Sequence, residues 1–189
     1  MDPQRTTPPS TEPITLARAK LHLRVDHSDE DDLITELITA ARMDCEDRIQ
    51  RTLVTTGWTW PLDAFPPCGK VLKVPMPPLV SLTSVQYVDA DGAAQPLALE
   101  DLHIDALGQP GRIAPASGSW PATAARINAV TVVYTAGYGA ASAVPAPLKS
   151  WMLLAIGDMY ANRERSSDRP SVPQNFADSL LDPYRVWSL

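Results

Sequence analysis

Proline placement limits what this chain can fold into more than any other feature. Nineteen prolines stand against nine glycines in 189 residues. A proline fixes its own φ and lacks an amide donor, so it interrupts helix interiors and central strands. Many stiffened connections and short strands are therefore expected, with a few helices held to the proline-poor stretches. The first thirteen residues carry four prolines with Ser and Thr and almost no aliphatic side chains. They read as an extended N-terminal arm over 1–13.

Three stretches carry helical signals. Ile14-Thr15-Leu16 opens a short helix with Thr15 as N-cap, ending near Val25. Ser28 followed by Asp29, Glu30, Asp31 and Asp32 places a capping hydroxyl and first-turn carboxylates at the start of a long helix. Leu33, Ile34, Leu37, Ile38, Ala41, Cys45 and Ile49 then form one apolar stripe that ends near Arg51 or Leu53. Glu36, Arg42, Asp44, Glu46 and Arg48 are expected on the opposite face, solvated or turned to a partner. The third helix follows Val144-Pro145-Ala146-Pro147, where a proline in the first turn is tolerated. Leu148, Trp151, Met152, Leu154, Ala155, Ile156, Met159 and Tyr160 make it apolar over so wide an arc that neighbours must bury it. Asn162-Arg163-Glu164-Arg165 closes it, and Ser166 to Gln174 is a polar loop.

Between the helices the texture becomes β-branched and aromatic, broken by Pro and Gly. Thr55 to Trp60, Val71 to Val74, Ser84 to Val88, Arg112 to Ala114 and Val130 to Thr135 are the expected strands. Asp89-Ala90-Asp91-Gly92 and Gly108-Gln109-Pro110-Gly111 are the expected tight turns. The fold class is α+β. Residues 14–53 and 141–189 form a helical core with a C-terminal tail, and a small antiparallel β unit is inserted at 54–140.

Chemistry is sparse. The net charge of -6 argues against a protein that grips nucleic acid, because pairing with phosphates needs a basic surface. Two cysteines are too few for a disulfide framework or a self-contained zinc site. The longest apolar run, Trp151 to Ile156, falls far short of the roughly 20 residues that span a bilayer. The N-terminus has neither the basic start nor the apolar run of a secretory signal, so a cytosolic site of synthesis is expected. His22, His27 and His103 lack ligand spacing, and no glycine-rich phosphate loop or nucleophile elbow occurs. The run Asp29 to Asp32 suits a helix start better than a metal, since consecutive acids radiate in different directions. Cys68, His103 and Asp105 are the least unsuited candidates for a small hydrolase.

The C-terminus is the most informative segment. Leu180-Leu181-Asp182-Pro183-Tyr184-Arg185-Val186-Trp187-Ser188-Leu189 places aromatic and aliphatic residues where chains are usually polar. Tyr, Trp and Arg are enriched at interface hot spots. Tyr184, Arg185, Val186, Trp187 and Leu189 are accordingly the candidate partner-binding residues, with docking of the tail onto the chain's own core as the competing reading. Pro183 is expected to break any helix from Phe176 and free the last residues to reach outward.

Three of these segments, taken in order, resemble the head-tail connector (adaptor) family of tailed bacteriophages. They are Ile14 to Val25 with Ser28 to Ile34, Val144 to Lys149 with Trp151 to Glu164, and Leu180 to Trp187. The long β section departs from the smallest connectors of that type, which are mostly helical. The resemblance implies a noncatalytic structural protein without a cofactor, forming a homo-oligomeric, dodecameric ring in the virion neck. Such a ring binds the portal protein on one side and stopper or tail proteins on the other. It continues the channel through which double-stranded DNA passes without sequence-specific binding. Another neck component, a stopper or tail-terminator protein, is the alternative within the same assembly.

Overall fold

A computed structural model describes residues 2–67, 70–162 and 175–187. The protein is α+β and divides into two compact units, Thr11–Val54 with Ala140–Leu189 and Met1–Ser10 with Thr55–Gly139.

The helical unit begins with α1, Leu16–Leu23. Thr15 caps it as expected, its hydroxyl accepting the Arg18 amide at 3.2 Å. The long helix α2 covers Asp31–Ile49, with Glu30 as cap residue and no side-chain cap bond. Ser28 is thus not the expected capping side chain. Its carbonyl accepts the Asp31 amide at 3.2 Å instead, while Asp31 is drawn to Lys20 of α1 at 2.5 Å. The helix stops at Ile49 because Gln50 turns left-handed at φ 55 and returns its amide to the Glu46 carbonyl.

The third helix, α3, covers Ala146–Ala161 with a proline in its first turn. Its Leu148, Trp151, Met152 and Ile156 are buried with Ile34, Ile38, Ala41, Cys45 and Ile49 of α2. The apolar arc of α3 is only partly covered, since Leu154 remains 36 % exposed. Helix α4 covers Asn175–Ser179. The expected loop at Ser166 to Gln174, and Arg163 to Arg165 before it, lie outside the described residues.

The second unit holds eight strands: β1 (Gln4–Thr7), β2 (Thr56–Leu62), β3 (Leu72–Lys73), β4 (Leu79–Val88), β5 (Ala94–Leu97), β6 (Leu102–Asp105), β7 (Arg112–Pro115) and β8 (Val130–Ala136). One sheet runs β1-β2-β8-β4-β5 and the other β3-β7-β6. Every pairing is antiparallel. Strand β8 alternates buried and half-buried residues along its length. It thereby sends Val130, Val132, Tyr134 and Ala136 into a core shared with Trp58, Leu82, Val85 and Ile113. Tyr134 is fully enclosed; its hydroxyl donates to the Pro75 carbonyl at 3.0 Å and burial pushes the phenol's pKa up.

The N-terminal segment expected as an extended arm holds a strand that joins the sheet. Gln4 pairs with Thr59, Arg5 with Trp58 and Thr7 with Gly57. The Arg5 guanidinium lies 5.1 Å from the centre of the Trp58 ring. Gly57 makes room for this edge strand: a Cβ there would stand 2.9 Å from the Thr7 hydroxyl.

Both expected turns close hairpins through a carboxylate. Asp89 accepts the amides of Asp91 and Ala93 between β4 and β5. Asp105 accepts those of Leu107 and Gly108 between β6 and β7 and pairs with Arg112 at 2.6 Å. The bond to Arg112, joined by these amides, holds the Asp105 carboxyl below its ordinary pKa. At the base of the segment the Thr55 amide donates to the Gly139 carbonyl at 3.1 Å.

Candidate contact site at the C-terminal segment

The C-terminal segment is assembled against the end of α2. After α4 the chain makes a single 3-10 turn, Asp182–Tyr184, with Pro183 in its second position. Leu181 just before it is fully buried. Two main-chain contacts then hold the tail. The Arg51 guanidinium donates to the Tyr184 carbonyl, and the Val186 amide donates to the Ile49 carbonyl at 3.0 Å. That second bond satisfies one of the carbonyls a helix end leaves without an internal partner.

Pro183 therefore does not free the tail to reach outward, because the ends of α2 offer it hydrogen-bonding groups within reach. Tyr184, Arg185 and Val186 are half-buried, whereas Trp187 is 71 % exposed. Leu189 lies outside the described residues. The Arg185 Nε is 3.3 Å from an Asp182 carboxylate oxygen, at an angle that makes no hydrogen bond. The structure thus ties Tyr184 and Val186 to the chain at the end of α2, leaves Arg185 half-buried beside Asp182, and exposes Trp187 alone among the described candidates.

The neighbourhood is tied together by Asp178 of α4. Its carboxylate accepts the Trp151 indole N–H at 3.2 Å and lies 3.5 Å from Arg48. The Arg48 guanidinium also sits 5.4 Å from the centre of the Trp151 ring. Helices α2, α3 and α4 are pinned at one point, which fixes where the tail begins.

Two residues assigned to the solvated face of α2 belong to its interior. Arg42 is 4 % exposed and Glu46 is wholly buried. The chain wraps around them: Arg42 pairs with Glu12 at 2.7 Å and with Glu46 at 2.9 Å. The other Glu46 oxygen accepts the Leu53 amide at 2.8 Å. Burial disfavours the Arg42 cation, but its bonds to Glu12 and the charge of Glu46 outweigh it, and the guanidinium pKa rises. A signal was present, since Arg42 and Glu46 are opposite charges one turn apart on the flank of the apolar stripe.

The hydrolase candidates do not converge. Asp105 is committed to its hairpin turn and Arg112. His103 pairs with Ala114 in its strand and has no side-chain partner among the described residues, and Cys68 lies outside them. Among the described residues no group of three or more His, Cys, Asp or Glu could hold a metal ion. In the acidic run, Asp31 meets Lys20 and Asp29 lies 3.8 Å from His27.

Comparisons with known proteins accord with this architecture. No curated protein matches the chain. Solved structures do: a chain in the neck of an empty gene transfer agent (GTA) particle, computed with C6 symmetry, is 22% identical with a TM-score of 0.81, and the match covers 100% of this chain and 97% of that one. A chain in the virion of the native gene transfer agent particle is 23% identical with the same TM-score and coverage. A chain in the native GTA neck, computed with C12 symmetry, is 22% identical at a TM-score of 0.74, again covering 100% and 97%. These likenesses establish the fold. The sequence model of the phage gp6-like head-tail connector proteins matches residues 13–76, the span holding α1, α2, β2 and β3. The resemblance read from the sequence is borne out: over residues 13–76 this chain is similar to the phage head-tail connector proteins, and throughout its length it has the fold of a gene transfer agent particle protein.

Proposed function

We propose that this protein is a structural subunit of the neck of a tailed phage or phage-like particle. It forms a ring below the portal, joins head to tail and continues the DNA channel. The observation that carries the reading is the connector match over residues 13–76 on a fold shared, over the whole chain, with neck proteins. The C6 and C12 symmetries of those necks support a homo-oligomeric ring. The helical unit is its connector core, and no catalysis or cofactor belongs to the role.

The tail is the contact element of this subunit. Tyr184, Arg185, Val186, Trp187 and Leu189 form the surface that meets the portal or a neighbouring subunit, with Trp187 foremost. Its exposed indole supports this, because leaving apolar area in water forgoes roughly 25 cal/mol for each Å² that a partner would bury. The net charge of -6 suits a channel wall that does not hold the duplex through phosphate pairs. The protein is made in the host cytoplasm and resides in the virion neck.

Electron microscopy of particles made with and without the gene tests the reading. Density for the subunit as a ring under the portal, with filled heads and detached tails in its absence, is expected. Normal tailed particles lacking the protein would overturn it.

A further inference from the structure

Within the helical unit, a groove of ≈ 370 Å³ runs between the start of α1 and the start of α3. Pro13, Ile14 and Leu153 give it an apolar lining, and Arg18 and Lys149 add two cations. Neither cation has a carboxylate partner among the described residues; the Lys149 amine rests on the carbonyls of Ala141 and Ser142 at 3.3 and 3.4 Å. The complement of this groove lies on the outward face of α2 in the same unit. Asp32, Glu36, Ala40, Met43 and Asp47 recur at helical spacing and are all exposed. Asp32, Glu36 and Asp47 have no cationic partner among the described residues, whereas Asp44 beside them is paired with Arg48 at 2.9 Å. Met43, midway along the stripe, is 50 % exposed.

We infer that the groove receives the α2 face of a second copy of this chain, with Met43 in the apolar channel and the α2 carboxylates against Arg18 and Lys149. The occupant follows from sign and shape. A basic-edged apolar groove fits a flexible apolar side chain flanked by carboxylates, and the chain carries that combination itself. Groove and stripe are built from different elements, so the contact is heterologous. A copy whose stripe is engaged still offers its groove to the next, which propagates and, if the rotation closes, yields a ring. The inference rests on the ring reading above and assigns its subunit contact to named residues.

Charge reversal on each side, alone and together, tests it in assembled particles. One variant carries Arg18→Glu with Lys149→Glu, and the other Asp32→Lys, Glu36→Lys and Asp47→Lys. Each alone is expected to lose the neck ring, while the chain combining all five restores it, because the attraction is rebuilt with signs exchanged. Purified and mixed, the two single-sided variants are expected to associate in strict alternation where neither associates alone, since each groove now complements only the other variant's stripe. In wild-type particles built from isotopically mixed protein, a carbodiimide should join Lys149 of one copy to an α2 carboxylate of another. Rings that persist in either single-sided variant, or a combined chain that melts like wild type yet makes no ring, would overturn this contact while leaving the neck role in place. Particles in which the wild-type protein forms no ring would overturn both.

Discussion

At residue scale the buried pair Arg42–Glu46 is the most sensitive point of the helical unit. Removing one member of a buried pair leaves the other desolvated, at a cost of about 3–5 kcal/mol. Glu46→Ala leaves Arg42 with Glu12 as its remaining carboxylate and removes the acceptor of the Leu53 amide as well. It is expected to lower unfolding free energy by about that amount in urea titrations, and Glu46→Gln, which keeps an acceptor, by less. Cys45, next to it, gives a pH signature. Burial pushes its thiol up to about 12, with the charges of Glu46 and Asp44 adding to the shift. An unfolded thiol titrates near about 8.5, so the folded state holds the proton more tightly. The resulting stabilisation is complete below that pH and is lost as pH rises towards the folded value. Between pH 8 and 11 the wild type should lose more stability than Cys45→Ala, and iodoacetamide at pH 8 should reach Cys45 only in denaturant. Equal slopes for the two proteins would contradict this.

At the scale of elements, β1 is held by pairing and by the space over Gly57. Gly57→Val is expected to push Thr7 away and expose the bond after Arg5 to trypsin, with the helical circular dichroism signal unchanged. Unchanged cleavage would mean that the strand tolerates the side chain. Helices were legible in the sequence because their signals are local: the Thr15 cap, the stripe from Ile34 to Ile49 and the proline in the first turn of α3 all act within a few residues. The β4–β5 and β6–β7 turns were legible for the same reason, through Asp89 and the Gly108–Gly111 run. Strands β1, β5 and β6 were not. Ala94-Gln95-Pro96-Leu97 has poor strand propensity, and it is extended because β4 supplies an edge where a proline is tolerated. Arg42 and Glu46 were misassigned for a related reason, since the groups that cover them, Glu12 and the Leu53 amide, come from outside the helix.

For the whole molecule the question is whether the tail serves the fold or the assembly. Truncation of residues 183–189 removes the acceptor for Arg51 and the donor to Ile49. A loss of about 1–3 kcal/mol is expected from those bonds, with Leu181 still in place to hold the core. Trp187→Ala separates the two roles, because an exposed side chain away from such contacts should leave stability within about 0.5 kcal/mol. Reduced joining of tails to heads at an unaltered melting temperature is the expected result. Intact joining would place the contact elsewhere, and a large melting shift would make Trp187 a structural residue. The tail's aromatic composition was legible from the sequence as a docking element. Its hold on α2 was not, because that rests on the free carbonyl of Ile49 and the guanidinium of Arg51, which only the folded helix end brings to it.

Because the Thr55 amide is bonded to the Gly139 carbonyl, the segment 55–139 is closed on itself at its two ends. The entropy of closing a chain loop grows only with the logarithm of its length. A change in the length of the chain between Thr55 and Gly139 is therefore expected to cost little in closure entropy. Strand β1 is tied to that segment by its pairing with β2. The N-terminal residues up to Ser10 belong to the same unit as that closed segment, although Thr11 to Val54 separate them from it in the chain.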